Sequence, residues 1–210
     1  QTGIRMIQIL PVNDTVAKHT WIDSYPYAAI SVYALHPIYI NLLKIGKLES
    51  EINQQIIEAQ GKYLNSLERI DYEAVMALKS RFFKLIFDQQ KQEFLNDPGF
   101  KSYFDINEFW LRPYAAFSFL RDLFDTPDFS RWGEYSNPSP ELLLQLTDEN
   151  LHHYDDIAVH YFIQYHAHLQ LLEASEYARS KGVVLKGDIP IGVYRNSVDA
   201  WINSHLFHMD

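Results

Sequence analysis

Two short apolar runs constrain this chain more than any other feature, because of what separates them. Met6 to Leu10 (MIQIL) ends at Pro11, and Val183-Val184-Leu185 leads into Gly187-Asp188. Each has the length and composition of a buried strand. Between them lies a stretch of well over 100 residues that reads as mostly helical, whereas a simple strand–helix–strand crossover takes about 30. The middle must therefore hold an inserted helical subdomain. The second run follows a long helical pattern, about Asp155 to Lys181, closed by Gly182 as C-cap. Helix, glycine, strand and then a polar residue is the order found in α/β barrels and doubly wound sheets. An eight-stranded barrel needs roughly 250 residues, so these 210 are too few to close one around such an insertion.

Within the middle, Glu51 to Asn65 and Asp71 to Leu95 are candidate helices. The second carries Val75, Leu78, Phe82, Leu85 and Ile86 on one face. Asn96-Asp97-Pro98-Gly99 is a break. A third helix is expected from about Asp105 to Leu123, kinked or divided at Pro113. Asp125 to Pro140 reads as loop. Ile38 to Leu43 reads as a short strand or a helix start. The polar segment Asn13 to Tyr27 is long for a plain connection, and such loops are often functional. The chain divides at the sequence level into 1–48, with the first strand and this loop, 49–154, the helical insertion, and 155–210, with helix, strand and following loop.

The formal net charge of −9 argues against a nucleic-acid footprint, which is basic, and against an anionic membrane surface. No apolar run approaches a membrane span. The start, QTGIRMIQILP, has no secretory-leader pattern, and the lack of an initiating Met leaves the upstream sequence open. With no cysteine, disulfides, thiolate metal sites and cysteine nucleophiles are excluded. Five histidines crowd residues 152–168, but His166 and His168 are two apart on a helix and face apart, and there is no HExxH. No metal site and no cofactor are expected. Nucleotide-binding glycine loops and the GxSxG elbow are also missing.

Some residues could carry chemistry. Asp188 stands at the C-terminal end of a strand, where barrels and open sheets place functional groups; a turn-forming aspartate would stand there as well. Ser24-Tyr25-Pro26-Tyr27 sets two phenols on one rigid turn, able to stack on a sugar and bond its hydroxyls, or simply to pack. Asn13-Asp14-Thr15 has the composition of a local cap.

Longer motifs go further. Residues 7–37 (IQILPVNDT…WIDSYPYAAISVYALHP) and 176–201 (EYARSKGVVLKGDIPIGVYRNSVDAW) resemble amylomaltases and disproportionating enzymes of glycoside hydrolase family 77. NEFWLRPYAAFSFLRDLFDTPDFSRWGEY (107–135) and HYFIQYHAHLQLLEASEYA (160–178) resemble the plant cytosolic disproportionating-enzyme branch. The resemblance covers nearly all the chain. It implies an α/β fold: a partial (β/α)8 TIM barrel, about its second and third strands, with a large, mostly helical insertion. It implies a cytoplasmic 4-α-glucanotransferase acting on maltose and maltodextrins by retaining double displacement, with α-1,4-glucans as partners and neither nucleic acid nor membrane. Tyr27 matches the substrate-contacting tyrosine of the SPY loop. Asp188 matches the aspartate after the third strand. Ser24, Asn13 and Asp14 in the first loop, and Asp199 and Trp201 in the loop after Asp188, follow as substrate-binding candidates. The nucleophile, acid/base and stabilising carboxylates of the family come later than this sequence reaches, so none of its residues is a catalytic candidate and the chain alone is expected to be inactive. Tyr194 stands where that branch usually carries a carboxylate. A non-catalytic glucan-binding or scaffold segment, a helical interaction domain, and a hydrolase of the α-amylase clan are the competing readings. Uncovered strand edges imply that the isolated piece self-associates.

Overall fold

A computed structural model describes residues 3–208. Strand β1 (Met6–Gln8) and strand β2 (Val184–Lys186) pair in parallel, Met6 with Val184, Ile7 with Leu185 and Gln8 with Lys186. Everything between them forms the crossover. It comprises α1 (Glu51–Asn65), α2 (Tyr72–Asn96), α3 (Pro98–Leu123), α4 (Pro140–Leu146) and α5 (Tyr154–Ser180), with α6 (Val198–Ile202) after β2.

Local chemistry explains where these helices begin. Ser50, Asp71, Asp97, Ser139 and Ser197 each accept a hydrogen bond from a first-turn amide of α1, α2, α3, α4 and α6, satisfying donors that have no partner inside the helix. At Asp97-Pro98 the expected break is a single residue. Proline takes the first helical position, where its missing N–H costs nothing, so α3 starts seven residues before Asp105. Pro113 does not divide α3, which runs unbroken to Leu123. α5 ends at Ser180 and is closed two residues on by Gly182, whose φ of +69° is the left-handed conformation that follows a helix C-terminus. The 37–44 segment is neither strand nor long helix: it makes two short 3-10 turns, Pro37–Tyr39 and Leu42–Lys44. The SVDAW stretch, expected as loop, forms α6.

The core lies in the helices. α3 and α5 pack along their lengths, and Leu111, Ala115, Phe117 and Leu120 meet Ile157, Ala158, Tyr161 and Phe162, all essentially without solvent contact. α2 adds Phe82, Phe83, Ile86 and Phe87. Each buried Phe contributes about 1.5–3 kcal/mol. Ile30 and Ala34 from the first loop, and Val198, Ala200 and Trp201 from α6, belong to the same core. Residues from 1–48, 49–154 and 155–210 thus share one apolar interior.

The strands depart from expectation in one respect. Both were read as buried, yet Met6 is 59% exposed, Ile7 46% and Val184 57%. α5 packs on β2, yet both strands stay largely open to solvent. Apolar content gives a strand its type; burial depends on a second layer, which a local sequence does not show.

Candidate functional site

Both strands point their C-terminal ends the same way, and the segments that leave those ends meet. Tyr27 Oη donates to Asp188 Oδ2 at 3.0 Å. Asp188 Oδ1 accepts the Ile189 amide at 3.0 Å. The bond to Asp188, then burial and the carboxylate's charge, raise the Tyr27 pKa, so the phenol keeps its proton. The ring of Tyr25 lies 5.7 Å from that of Tyr27, tilted by 51°. Tyr27, Tyr25 and Ile189 are exposed and Asp188 is half-buried.

An open cavity of about 730 Å³ is walled by the same loop, as far as Pro26, and by the start of α2. Asn13, Ser24, Pro26, Trp21, Tyr39 and Tyr72 are among its walls. Trp21 is 67% exposed. Ser24 faces solvent at the end of a short 3-10 turn, Trp21–Ser24. Asn13 spends its side chain on the loop itself, donating to Val32 O at 2.9 Å and Ser31 O at 3.3 Å.

The other candidates point away from solvent. Asp14 is 1% exposed. Its carboxylate accepts from Val16 N at 3.0 Å and from Tyr114 Oη at 2.7 Å, while its backbone bonds Ala34 and Ile30. Trp201 is equally buried, donates from Nε1 to Tyr135 O at 2.7 Å, and packs on Trp132 and Phe117. In this structure neither side chain is placed to touch a sugar; each supports the loop or the core. Asp199 is half-buried and accepts from Val32 N at 3.0 Å. Burial raises its pKa against that bond. It backs the loop from behind.

The loop that carries Tyr27 is held by side chains to which the sequence gives no such role; Arg121 and Asp122 read there as a solvated helix end, yet Arg121 is 4% exposed. Arg121 Nη1 donates to Val16 O at 2.6 Å and pairs with Asp122. His19, in a left-handed conformation at φ 55°, lies 2.8 Å from Asp122 Oδ1. Gln164 bonds Leu35 through both N–H and C=O, each at 2.8 Å, standing in for a paired strand. No local pattern signals these contacts with the loop, because each joins residues 100 or more positions apart. Among the described residues no group of three or more His, Asp or Glu is placed to hold a metal ion. Nor is any helix there long and apolar enough to cross a membrane.

The family model for glycoside hydrolase 77, described as 4-alpha-glucanotransferase, matches residues 1–210. The chain belongs to glycoside hydrolase family 77. It is 47% identical over its whole length to the 4-alpha-glucanotransferase DPE2 of Oryza sativa subsp. japonica, covering 22% of that protein. It is 31% identical to the 4-alpha-glucanotransferase of Chlamydia trachomatis serovar D, over 98% of this chain and 37% of the relative. Its fold matches the amylomaltase from Streptococcus agalactiae in complex with acarbose, with a TM-score of 0.71 and 22% identity, covering 98% of this chain and 40% of that one. The family 77 chain thus spans between about a fifth and two fifths of the length of these three relatives.

Proposed function

We propose that this family 77 chain is the substrate-contacting part of a 4-α-glucanotransferase, which moves glucosyl units from maltose or maltodextrins to an α-1,4-glucan acceptor in the cytoplasm. The observation that carries the reading is the bond between Tyr27 and Asp188. It joins the loop after β1 to the end of β2, on the side of the sheet where barrels place their active sites. In this reading β1 and β2 are the second and third strands of a (β/α)8 barrel, 49–154 is the helical insertion between them, and the reacting carboxylates lie outside residues 1–210.

The chemistry of the pair fits sugar hydroxyls. The Tyr27 proton is committed to Asp188, so the lone pairs of its oxygen remain to accept a hydroxyl. Asp188 Oδ1 takes one amide and keeps a further acceptor site. The edge offered is rich in acceptors, matched to a ligand that brings donors, and the Tyr25 and Tyr27 rings supply apolar faces for the sugar plane. Retaining transfer needs a carboxylate nucleophile and a carboxylic acid about 5 Å apart. The role of this segment is to bind and orient the donor, so that an acceptor hydroxyl replaces water at the second step.

The test is glucose release from maltose with glycogen present, comparing residues 1–210 with the longer protein that contains them, and the longer protein with its Asp188→Asn and Tyr27→Phe variants. Activity in the longer protein alone, with kcat/KM lowered about tenfold or more by Asp188→Asn, supports the reading. Unchanged kinetics in both variants would remove the substrate role of the pair. Glucan binding by the longer protein without turnover would favour a scaffold segment.

A further inference from the structure

The first turn of α2 reaches into the loop that carries Tyr27 at two points. Trp21 N donates to Glu73 Oε1 at 2.9 Å. Tyr72, only 9% exposed, turns its hydroxyl inward to His36 Nε2 at 3.0 Å.

The direction of the second contact can be worked out. His36 Nδ1 accepts from the Ile38 amide at 3.1 Å, so its proton sits on Nε2 and is donated to Tyr72 Oη. Thr15 also lies beside the Tyr72 hydroxyl. Thr15 in turn donates to the Asp23 carbonyl. Two buried bonds result, one from His36 to Tyr72 and one from Thr15 to Asp23 O. Burial and the charges of Asp23 and Asp14 hold the Tyr72 pKa well above the ordinary phenol range, and burial lowers that of His36. Both groups therefore keep these protonation states at neutral pH. The bonds fix the backbone at Trp21 and Asp23, and Tyr27 follows Asp23 by four residues through the stiff Pro26.

We propose that Tyr72 and Glu73 are positioning residues for substrate binding: they belong to the helical insertion and act by setting the course of the loop that brings Tyr27 to Asp188. The proposal rests on the substrate role given above to Tyr27. It assigns the insertion a function in the reaction, since its second helix forms part of the bed on which the donor-binding loop is laid.

The experiment uses the longer active protein and maltodextrin kinetics. Glu73 is exposed, so Glu73→Ala leaves the fold intact and removes the Trp21 acceptor; Glu73→Gln keeps an acceptor oxygen. Glu73→Ala raises KM about three- to tenfold while kcat changes by less than about twofold and the melting temperature holds. Glu73→Gln restores KM, and Tyr72→Phe reproduces the rise. Because the effect passes through Tyr27, Glu73→Ala adds less than about twofold in a Tyr27→Phe background. A KM unchanged in Glu73→Ala, equal effects of Ala and Gln, or full additivity with Tyr27→Phe would each overturn the proposal. If Tyr27→Phe alone leaves KM unchanged, Tyr27 has no part in binding and this inference falls; if Asp188→Asn is silent as well, the substrate reading of the pair has failed with it.

Discussion

At Asp14 a charge is taken out of water within two residues of Val12, and its surroundings show how the cost is met. The carboxylate takes one backbone amide and one phenol, Tyr114 Oη, and the phenol is also approached by Gln164 Nε2 at 3.2 Å. Burial and the neighbouring carboxylate raise the Tyr114 pKa far above its usual value, which keeps it a donor. Tyr114→Phe keeps the ring and deletes the proton that Asp14 needs. A hydrogen bond to a buried charge is worth about 1.5–3 kcal/mol, so urea denaturation of the variant should show a loss of about 2 kcal/mol. A loss under about 0.5 kcal/mol would mean that Asp14 is satisfied without Tyr114. The sequence shows Asp14 in a turn-forming trio behind a strand and nothing of Tyr114, exactly 100 positions away. Tyr27 and Asp188 were legible through whole motifs and strand position, whereas the inward orientation of Asp14 and Trp201 depends on contacts that no local pattern encodes.

Elements were more legible than contacts. α1 was read at its own bounds and α2 within a residue, because a Ser or Asp cap precedes an apolar period of 3.6 in each. α4 went unread: seven residues starting at Pro140 carry too little periodicity to separate from loop. α5 was placed by length and by Gly182, but its sequence hides that its first half, as far as Ala167, is enclosed, with α2, α3 and the 37–39 turn among the elements packed on the helix. That enclosure has a pH consequence. Burial lowers the pKa of His160 and His166 to about 4, against about 6.5 in the unfolded chain. Between these values the unfolded state binds more protons, so stability is full above about pH 6.5 and falls as pH drops toward 4. Thermal melts from pH 7 to 4.5 should show the decline, and in His166→Leu it should shrink by roughly 1–2 kcal/mol. An unchanged pH profile in His166→Leu would show that His166 titrates normally in the folded state.

On the scale of the whole molecule, the apolar interior and the candidate pair lie in different places. Phe and Tyr side chains from α2, α3 and α5 fill a core that stands without help from the sheet, whereas Tyr27 and Asp188 sit at the end of a two-stranded sheet with apolar faces open to water. Met6, Ile7, Leu10 and Val184 are 46–60% exposed, and Ile189 and Ile191, just beyond β2, more so. A two-stranded sheet also leaves an outer row of N–H and C=O groups on each strand, the arrangement that recruits another chain. Residues 1–210 produced alone should therefore fold through the helices and then associate through the strands. Light scattering coupled to size exclusion should give a mass above the 24.6 kDa of one chain, rising with concentration. Lys in place of Ile7 puts a charge on the open strand without touching the core, and should return the chain to a monomer while helical circular dichroism stays constant. If Ile7→Lys leaves the association unchanged, the contact lies on the helical surface instead, and the strands are not the adhesive face.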